Sequence, residues 1–436
     1  MKCSVLTIYA DMNSTGVFDL FFCTGRDNDD MIRRLRSGRR VGSEGNSKIM
    51  TLDIRETVLD EDVVKEIADL LLETSVETVQ LDDCGAYMNK QTSRMATALG
   101  HVKNLRLSEP TFLSHFFLDK LLASATALEN LRIQDRLHGF QIKALARGLS
   151  VNRTLKSLDL SKSRIEDVDI ASLAEGFAKS STESLTLRSL NLGDDQLTQI
   201  ANSLKMNPSL RKLDISFNQC RTMDCLNSLI HGSCHLRELQ VGYQFVWQSP
   251  KIDISGFANV LRNDSSLTTL ALPRNKLNDD DAECLGMALR DNSNLMVVDL
   301  RENKIGDDGV KTLASASLEN KGLKKLYLTK NPFHLDGTNA LLAMVKEKVE
   351  MVHVELSQGG HAASQIRYYS SLNHGGRCLV DKIPALDLGV WPLVIERVNK
   401  IDWFDEHLDS HRQDVILFLL RAPPLFEVLL NRNLRE

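Results

Sequence analysis

Apolar residues in the second half of the chain recur with a fixed spacing. In the frame that begins at Leu295, apolar residues occupy positions one, four, six and eleven, and Asn303 occupies position nine. The frame restarts 28 residues later at Leu323. Residues 298 to 300 alternate apolar and polar side chains, as a short strand does. The apolar residues from Val310 to Leu318 recur every three to four positions, as on one face of a helix. Each frame therefore predicts a strand, a turn and a helix.

One unit of this kind is not stable without neighbouring units. A single unit cannot bury its own leucines, so the units must stack into an array. We expect the Asn303 amide to bond to backbone groups of the adjacent unit that would otherwise be buried without partners. Gly306 and Gly309 are expected to loosen the turn into the helix.

The frame occurs twelve times along the chain, and ten of the eleven spacings lie within four residues of 27. The first four copies and the last are degenerate: Pro110 and Arg136 stand at position nine, and Cys84 takes that place in the second copy. The leading residues, at position one, are Ile49, Val76, Val102, Leu128, Leu155, Leu187, Leu210, Leu236, Leu267, Leu295, Leu323 and Val349.

Two features indicate a particular repeat class. The units are mostly 26 to 28 residues long, with full helices such as DDDAECLGMALRDN, and the phrase IGDDGVKTLA follows one strand. Residues 46 to 357 thereby resemble the ribonuclease-inhibitor type of leucine-rich repeat. The resemblance implies an α/β solenoid, a horseshoe with a parallel inner sheet and outer helices. Strands are spaced about 4.8 Å apart and packed helices about 8 to 10 Å, so the helical side is the longer arc. We expect a right-handed array of about twelve coils over residues 49–357.

The N-terminal segment, residues 1–48, is predicted to be a cap followed by a basic linker. Two alternating apolar runs, Val5 to Tyr9 and Val17 to Cys23, predict a capping hairpin on the first coil. Five arginines then fall within eight positions. This cluster indicates a solvated linker or helix face, and the alternative is a nuclear-import or anion-binding patch. The five arginines are Arg33, Arg34, Arg36, Arg39 and Arg40.

The C-terminal segment, residues 358–436, breaks the period. Its short amphipathic stretches predict three or four helices that cap the array, with a recruitment segment for another protein as the alternative. The stretches are Ile366 to Leu372, Trp391 to Val398, Val415 to Leu420 and Leu425 to Leu430.

Composition narrows the class of partner. The 436 residues are 42% hydrophobic and 25% charged with a net charge of −5, which is typical of a soluble globular chain and gives no indication of nucleic-acid binding. No run approaches the 18 to 20 apolar residues that span a bilayer, so no membrane partner is expected. The first residues form a poor signal peptide, with a secretory reading as the alternative. Eight cysteines without paired spacing indicate reduced thiols, so we expect a cytoplasmic or nuclear location and leave the oligomeric state open.

The sequence contains none of the common catalytic motifs. The chain has no phosphate loop, no G-x-G-x-x-G, no H-E-x-x-H and no G-x-S-x-G, so we expect no enzyme activity, cofactor or metal. The acid runs at residues 194–195, 279–281 and 307–308 precede helices and are expected to cap them. His407 and His411 fit a polar helix face. The densest cluster of metal-ligating residues matches no zinc spacing, and it consists of Cys220, Cys225, His231, Cys234 and His235.

The frame also predicts which side chains leave the core. Positions three, five, seven and eight are expected to point from the sheet into the concave space. Position five gives Asp53, Gln80, Arg106, Arg132, Asp159, Asn191, Asp214, Gln240, Ala271, Asp299, Tyr327 and His353. Position eight adds Phe217, Tyr243, Arg274, Glu302 and Lys330.

Aromatic and arginine side chains on this face are the candidates for partner binding, because such residues dominate interface energetics. Phe217, Tyr243, Arg274, Arg301 and Tyr327 fall on five consecutive coils. The repeat that begins at Leu236 is 31 residues long, and its insertion adds Trp247, together with Phe245 and Pro250.

These patterns indicate a non-catalytic scaffold that binds a protein partner on its concave face. One alternative is a regulator that activates a GTPase, because Ran GTPase activators share this repeat type. A second alternative is a substrate receptor or adaptor that recruits a partner through its C-terminal helices.

Overall fold

The computed structural model describes residues 17–23, 28–43, 48–86, 91–166, 169–230, 235–244, 251–264 and 266–374. The chain divides into two compact units. The first unit comprises residues 1–220 and 231–236, and the second comprises residues 221–230 and 237–436. Both are built by alternating short strands with helices.

In the first unit, eight strands form a parallel sheet in the order β1-β2-β4-β6-β7-β9-β11-β12, and two short pairs, β3 with β5 and β8 with β10, lie outside it. The strands are β1 Val17–Cys23, β2 Lys48–Arg55, β3 Val58–Leu59, β4 Thr78–Asp82, β5 Gly85–Ala86, β6 Asn104–Ser108, β7 Asn130–Gln134, β8 Arg136–Leu137, β9 Ser157–Asp159, β10 Arg164–Ile165, β11 Ser184–Thr186 and β12 Lys212–Asp214. The helices are α1 Asn28–Ser43, α2 Glu61–Glu73, α3 Thr92–Leu99, α4 His115–Ser124, α5 Gly139–Val151, α6 Ile170–Lys179 and α7 Asp194–Leu204.

In the second unit, five strands form a parallel sheet in the order β13-β14-β15-β16-β17. The strands are β13 Glu238–Gln240, β14 Thr269–Ala271, β15 Val297–Asp299, β16 Lys325–Tyr327 and β17 His353–Glu355. The helices are α8 Asn227–Ile230, preceded by a 3-10 turn Met223–Leu226, then α9 Ser255–Leu261, α10 Asp279–Asp291, α11 Asp307–Glu319, α12 Leu335–Glu347 and α13 His361–His374.

Positions four and six of the frame form the core under each sheet. Leu270, Val298 and Leu326 are register partners on three consecutive strands, and each is at most 1% exposed. In the first unit Leu105 and Leu131 are paired in the same way and are at most 2% exposed. The helices supply the facing apolar side chains, so one face of each sheet is covered. The α/β repeat fold expected from the sequence is therefore confirmed. We call the other face, which carries positions three, five and seven, the open sheet face.

Two of the twelve predicted frames are misplaced. Leu185, and not Leu190, is the register partner of Leu158 and Leu213, so this coil begins at Thr182 instead of Leu187. Position five of this coil is consequently Thr186, and the assignment of Asn191 to that position is wrong.

The last frame is also shifted. Val354 pairs with Leu326, so the coil begins at Met351 and not at Val349. His353 therefore occupies position three, and position five is Glu355.

Position nine links neighbouring coils through buried hydrogen bonds, as predicted. The Asn303 amide group donates to the carbonyl oxygens of Leu272 and Leu300, both at 2.9 Å, and its oxygen accepts from the N–H groups of Asn275 and Leu277. The Leu300 oxygen also accepts from Asn331, but the other three groups would otherwise be buried without a partner, so the residue at position nine holds adjacent coils in register.

Coils without an asparagine at position nine can keep part of this link with another donor. The Cys84 thiol donates to the carbonyl oxygen of Ile54 at 3.2 Å, and the Ser163 hydroxyl donates to that of Ile133 at 2.9 Å. A thiol or hydroxyl replaces only the donor half of the asparagine amide.

Position eight adopts the left-handed backbone conformation in ten coils, with φ between 47° and 64°. Non-glycine residues rarely take this conformation. Because the same turn recurs after most strands, position-eight side chains of successive coils within each unit lie in a row. The residues are Glu56, Asp83, Glu109, Lys162, Ser189, Phe217, Tyr243, Arg274, Glu302 and Lys330.

The acid runs at residues 279–281 and 307–308 bind N–H groups at helix starts, but partly those of the following coil. Asp281 accepts from the N–H of Asn278 at the start of its own helix, whereas Asp307 accepts from the N–H groups of His334 and Gly337 in the next coil. These N–H donors lower the pKa of the Asp307 carboxyl. A Cβ on Gly309 would lie 2.5 Å from Asp279, so this glycine serves close packing and not the loosening of a turn.

The start of the chain differs from its prediction. Strand β1, the second of the two predicted runs, pairs with β2 in parallel, and the first run, Val5 to Tyr9, lies outside the described residues, so the capping hairpin stays a prediction. The arginine-rich stretch belongs to helix α1 and is not a linker, and its Arg36 side chain pairs with Glu66 at 2.8 Å. Strand β1 and helix α1 thus precede the first predicted frame as a further strand and helix.

At the other end, α13 packs against α12 and β17. Asn373 donates from this helix to the carbonyl oxygens of Val345, Lys348 and Met351. The predicted boundary at residue 357 therefore falls between β17 and the helix that follows it. The three later amphipathic stretches, from residue 391 onward, lie outside the described residues. Among the helices that the structure describes, none combines the length and apolarity needed to cross a membrane.

Candidate functional site

The open sheet face of the second unit is edged by a row of position-eight side chains with alternating chemistry. The Arg274 guanidinium lies 4.8 Å from the centre of the Tyr243 ring and 2.6 Å from the Glu302 carboxylate. Lys330 lies 3.5 Å from the same carboxylate. Four consecutive coils thus present an aromatic ring, a cation, an anion and a cation, which we call the position-eight row.

A second cluster lies beside this row, at positions three, five and seven. Arg301 forms a bidentate pair with Asp299, with its Nη2 atom 2.7 Å from the carboxylate, and its guanidinium lies 5.3 Å from the Tyr327 ring centre. The His353 ring is 5.0 Å from that of Tyr327. Thr329 donates to the Glu355 carboxylate at 2.7 Å.

The charges of this face are set by its internal pairs. The hydrogen bond from Arg274 lowers the pKa of Glu302, and the bond to Asp299 raises that of Arg301. Burial raises the pKa of the Tyr327 hydroxyl and lowers that of His353. At neutral pH the surface therefore carries charged arginine–carboxylate pairs beside an uncharged Tyr327–His353 pair.

The structure brings together four of the six predicted site residues. Tyr243 and Arg274 form one contact pair, and Arg301 and Tyr327 form another. Phe217 belongs to the first unit, where Arg188 lies 4.8 Å from its ring centre. Trp247 lies outside the described residues.

Sequence reasoning missed two contributors to this site. Glu302 and Lys330 were assigned to position eight, yet they were not chosen because neither is an aromatic or an arginine. The signal that would have found Glu302 is its place between two cations, Arg274 and Lys330, on the coils at either side.

The open face of the first unit has a different chemistry. Arg55 forms a bidentate pair with the buried Asp53, at 2.6 Å for its Nη2 atom, and Arg188 lies 3.7 Å from Asp214. Between these pairs, Arg106 and Arg132 are register partners on adjacent strands. Amide and hydroxyl side chains occupy most of the surrounding positions.

Four cysteines of the described part of the chain form no disulfide bond there, namely Cys84, Cys220, Cys225 and Cys284. Burial raises the pKa of the Cys84 thiol to about 11, so it is not a reactive nucleophile at neutral pH. His231 and Cys234, the middle of the densest sequence cluster, lie outside the described residues.

The repeating strand and helix, the parallel sheets and the position-nine links define leucine-rich repeats. A family model described as Leucine Rich repeat matches residues 151–174, 207–219 and 291–314. Leucine-rich repeat proteins generally act as scaffolds for protein interactions and are typically non-catalytic.

Two relatives share part of this sequence. The chain is 31% identical over 149 residues to NACHT, LRR and PYD domains-containing protein 12 of Mus musculus, a match that covers 33% of this chain and 14% of the relative. The Homo sapiens protein of that name is 29% identical over 140 residues, which cover 31% of this chain and 13% of the relative. The chain thus spans about a seventh of the length of these relatives.

Solved structures with similar folds include the TLR13–ssRNA13 complex, at 16% identity and a TM-score of 0.43, covering 72% of this chain and 42% of that one. An internalin from Listeria monocytogenes is 15% identical with a TM-score of 0.43, and covers 80% of this chain and 88% of that one.

Proposed function

We propose that this protein is a non-catalytic scaffold that binds a protein partner on the open sheet face of the second unit. Tyr243, Arg274, Arg301 and Tyr327 supply the contacts, with Glu302 and Lys330 beside them. The observation that supports the proposal is the alternation of ring, cation and anion on consecutive coils, each side chain held by its neighbour.

Side chains held in this way are suited to recognition. Arg274 and Arg301 are both fixed by a carboxylate and a ring, so less side-chain entropy is lost when a partner binds. Both remain exposed, at 41% and 46% of their side-chain surface. Tyrosine and arginine bury large areas while they keep a polar group for hydrogen bonding, as interface hot spots do. The face therefore offers rigid anchors with both charges, which favours a protein surface over a uniformly anionic nucleic acid.

We further propose that the repeats are of the ribonuclease-inhibitor type and that this open face is the concave one. Three consecutive helices, α10, α11 and α12, have 13 residues each, and the strands β14 to β17 follow one another at intervals of 28. Full helices in units of this length support that subtype. Four cysteines without a disulfide bond in the described part of the chain support a reducing, cytoplasmic location. Roles for Phe217 and Trp247 in binding remain predictions.

The proposal is tested by proximity labelling in cells, with the full chain carrying Tyr243→Ala, Arg274→Ala and Tyr327→Ala compared with the unaltered chain. A true partner is a protein whose labelling falls in the triple variant. Its affinity for the purified chain should then decrease by more than about 1 kcal/mol for each single substitution, as for central anchors. Thermal stability should remain within about 0.5 kcal/mol, the usual range for surface changes.

The second unit offers matched controls on its helical side. Arg290 pairs with Glu319 at 3.4 Å much as Arg274 pairs with Glu302, and Lys346 lies 5.3 Å from the Tyr369 ring. Arg290→Ala, and likewise Lys311→Ala, should change binding by less than about 0.5 kcal/mol. If these changes abolish binding while the triple variant binds normally, the assignment of the site is wrong. A nucleic acid that depends on the same three side chains would also contradict the choice of a protein partner.

A further inference from the structure

Two arginines lie side by side on the open sheet face of the first unit. Arg106 and Arg132 are register partners at position five of β6 and β7, so their side chains leave neighbouring strands in the same direction. Strands are about 4.8 Å apart, and like charges directly opposite each other on a sheet are destabilising. This pair therefore differs from every arginine described above on the open face of the second unit, each of which is held by a carboxylate.

The charges of the two arginines are unequally compensated. Arg132 lies 3.5 Å from the Asp159 carboxylate on the next strand. Arg106, on the other side, donates to the neutral side-chain oxygen of Gln80 at 3.2 Å, and within the described residues no carboxylate forms an ion pair with it. Arg106 is exposed, so an anion from solvent or from a partner can reach it.

The surroundings of this pair are rich in hydrogen-bond donors. Asn130 donates to Asn104 at 2.7 Å, and Asn104 donates to Thr78 at 3.0 Å, which fixes a ladder of amide groups along position three. The ladder and the two arginines line a depression of about 380 Å³. The second N–H of each amide and the Thr78 hydroxyl remain as donors to a guest, whereas Asp159 is the acidic group of this lining.

We infer that Arg106 and Arg132 bind the carboxylate of an acidic side chain on a protein segment that crosses the open face of the first unit. A carboxylate accepts two parallel hydrogen bonds from a guanidinium, and a negative charge between two guanidiniums removes their repulsion. Asp159 disfavours a second anion on the Arg132 side, so the site takes one acidic residue, next to Arg106. The inference rests on the proposed role of this protein as a protein-binding scaffold, but it concerns residues in the other unit.

The test is a titration of the full chain against a fluorescein-labelled, end-blocked hexaglutamate peptide, followed by fluorescence anisotropy at low salt. We expect the hexaglutamate peptide to bind at least about tenfold more tightly than a hexaglutamine peptide of the same length, since charged hydrogen bonds are the stronger ones. Arg106→Gln and Arg132→Gln should each weaken the hexaglutamate complex by about tenfold. Equal binding of the two peptides would overturn the inference.

Arg147→Gln is the matched control, because Arg147 is an exposed arginine on α5 of the same unit, paired with Asp119 at 2.6 Å. An equal loss of hexaglutamate binding in this variant would overturn the site and indicate general electrostatic attraction. Single-stranded RNA that binds more tightly than the peptide, and loses this affinity in Arg106→Gln, would overturn the choice of an acidic protein segment.

A further variant separates this inference from the proposed function. The chain with Tyr243→Ala, Arg274→Ala and Tyr327→Ala should bind hexaglutamate as the unaltered chain does, because all three changes lie in the second unit. If that triple variant keeps its cellular partner while Arg106→Gln loses the peptide, the proposed function fails and the carboxylate site stands. Loss of peptide binding in the triple variant would overturn the site at Arg106.

Discussion

The open sheet faces of the two units differ in how completely their arginines are paired with carboxylates. The first unit has paired arginines too, Arg55 and Arg188, but it also has Arg106, which forms no ion pair within the described residues. In the second unit Arg274 and Arg301 each contact both a carboxylate and an aromatic ring. In the first unit Arg106 and Arg132 are register partners, and Asp159 pairs with Arg132 alone. The strands beneath are of the same kind, so the difference lies in the side chains at positions five, seven and eight.

This difference teaches what a repeat array leaves free to vary. The buried positions fix the strand register, and the left-handed residue at position eight fixes the direction of the next side chain, whatever its identity. A face whose charges are already paired offers rigid contacts of mixed chemistry. A face with an incompletely paired arginine favours a ligand that supplies the missing charge.

The comparison assumes that the two units have equivalent cores beneath their different open faces. Truncation of core side chains tests this assumption. Leu326 and Leu131 occupy position four in the second and first units, and each is at most 2% exposed. Leu326→Ala and Leu131→Ala should each lower the free energy of unfolding by about 2 to 5 kcal/mol, because each leaves a cavity. Urea-induced unfolding followed by circular dichroism measures both losses. A loss below about 1 kcal/mol at either position, less than core truncations typically cost, would show that the coil lacks the assumed frame.

A smaller effect distinguishes the links between coils in the two units. Asn303→Ala leaves the buried Leu272 carbonyl and two buried N–H groups without their partners, whereas the Leu300 carbonyl keeps its bond from Asn331, so we expect a loss of about 3 kcal/mol in unfolding free energy. Cys84→Ala removes a thiol that is a weak donor to Ile54, and the expected loss is about 1 kcal/mol. The same unfolding measurement compares them. Equal losses would mean that the asparagine gives no more support than the thiol.

Much of the fold followed from the spacing of leucines, because burial at positions four and six repeats in every coil. The two frames are shifted for different reasons. In the frame predicted at Leu187, the cause is that positions six, nine and eleven have the same spacing as positions one, four and six. Where Thr182 stands at position one and Leu190 at position nine, the shifted pattern is the more apolar one. At the end of the array, the half-buried Val349 and Val352 are apolar and have the same spacing as the buried Met351 and Val354. The sequence pattern therefore placed them at positions one and four.

The candidate site was less accessible to sequence reasoning. The choice of aromatic and arginine residues found Tyr243, Arg274, Arg301 and Tyr327, but it could not show that Glu302 holds two cations from adjacent coils. Nor could it separate Arg106 from Arg301, since both are arginines on the same face of the repeat. Their difference depends on whether the neighbouring side chain is Gln80 or Asp299, and thus on the exact register between and along the strands.

The smallest expected effect is the most direct test of the comparison, because the same substitution should have opposite signs in the two units. Arg301→Gln removes the bidentate partner of Asp299, a carboxylate whose side chain is only 10% exposed, so the free energy of unfolding should fall by about 1 kcal/mol. Arg106→Gln removes one of two adjacent like charges, so the free energy of unfolding should rise by about 0.5 kcal/mol.

The dependence of these two effects on salt separates repulsion from packing. Charge screening shortens the reach of electrostatic interactions from about 30 Å at 0.01 M salt to about 3 Å at 1 M. The stabilisation by Arg106→Gln should therefore be present at 0.01 M sodium chloride and disappear at 1 M. The loss in Arg301→Gln should persist in part, because the Asp299 carboxylate is buried beside the substituted side chain and screening of buried groups is weaker. If Arg106→Gln destabilises the protein at low salt, the two guanidiniums do not repel each other, and the physical reason for a bound carboxylate between them is lost.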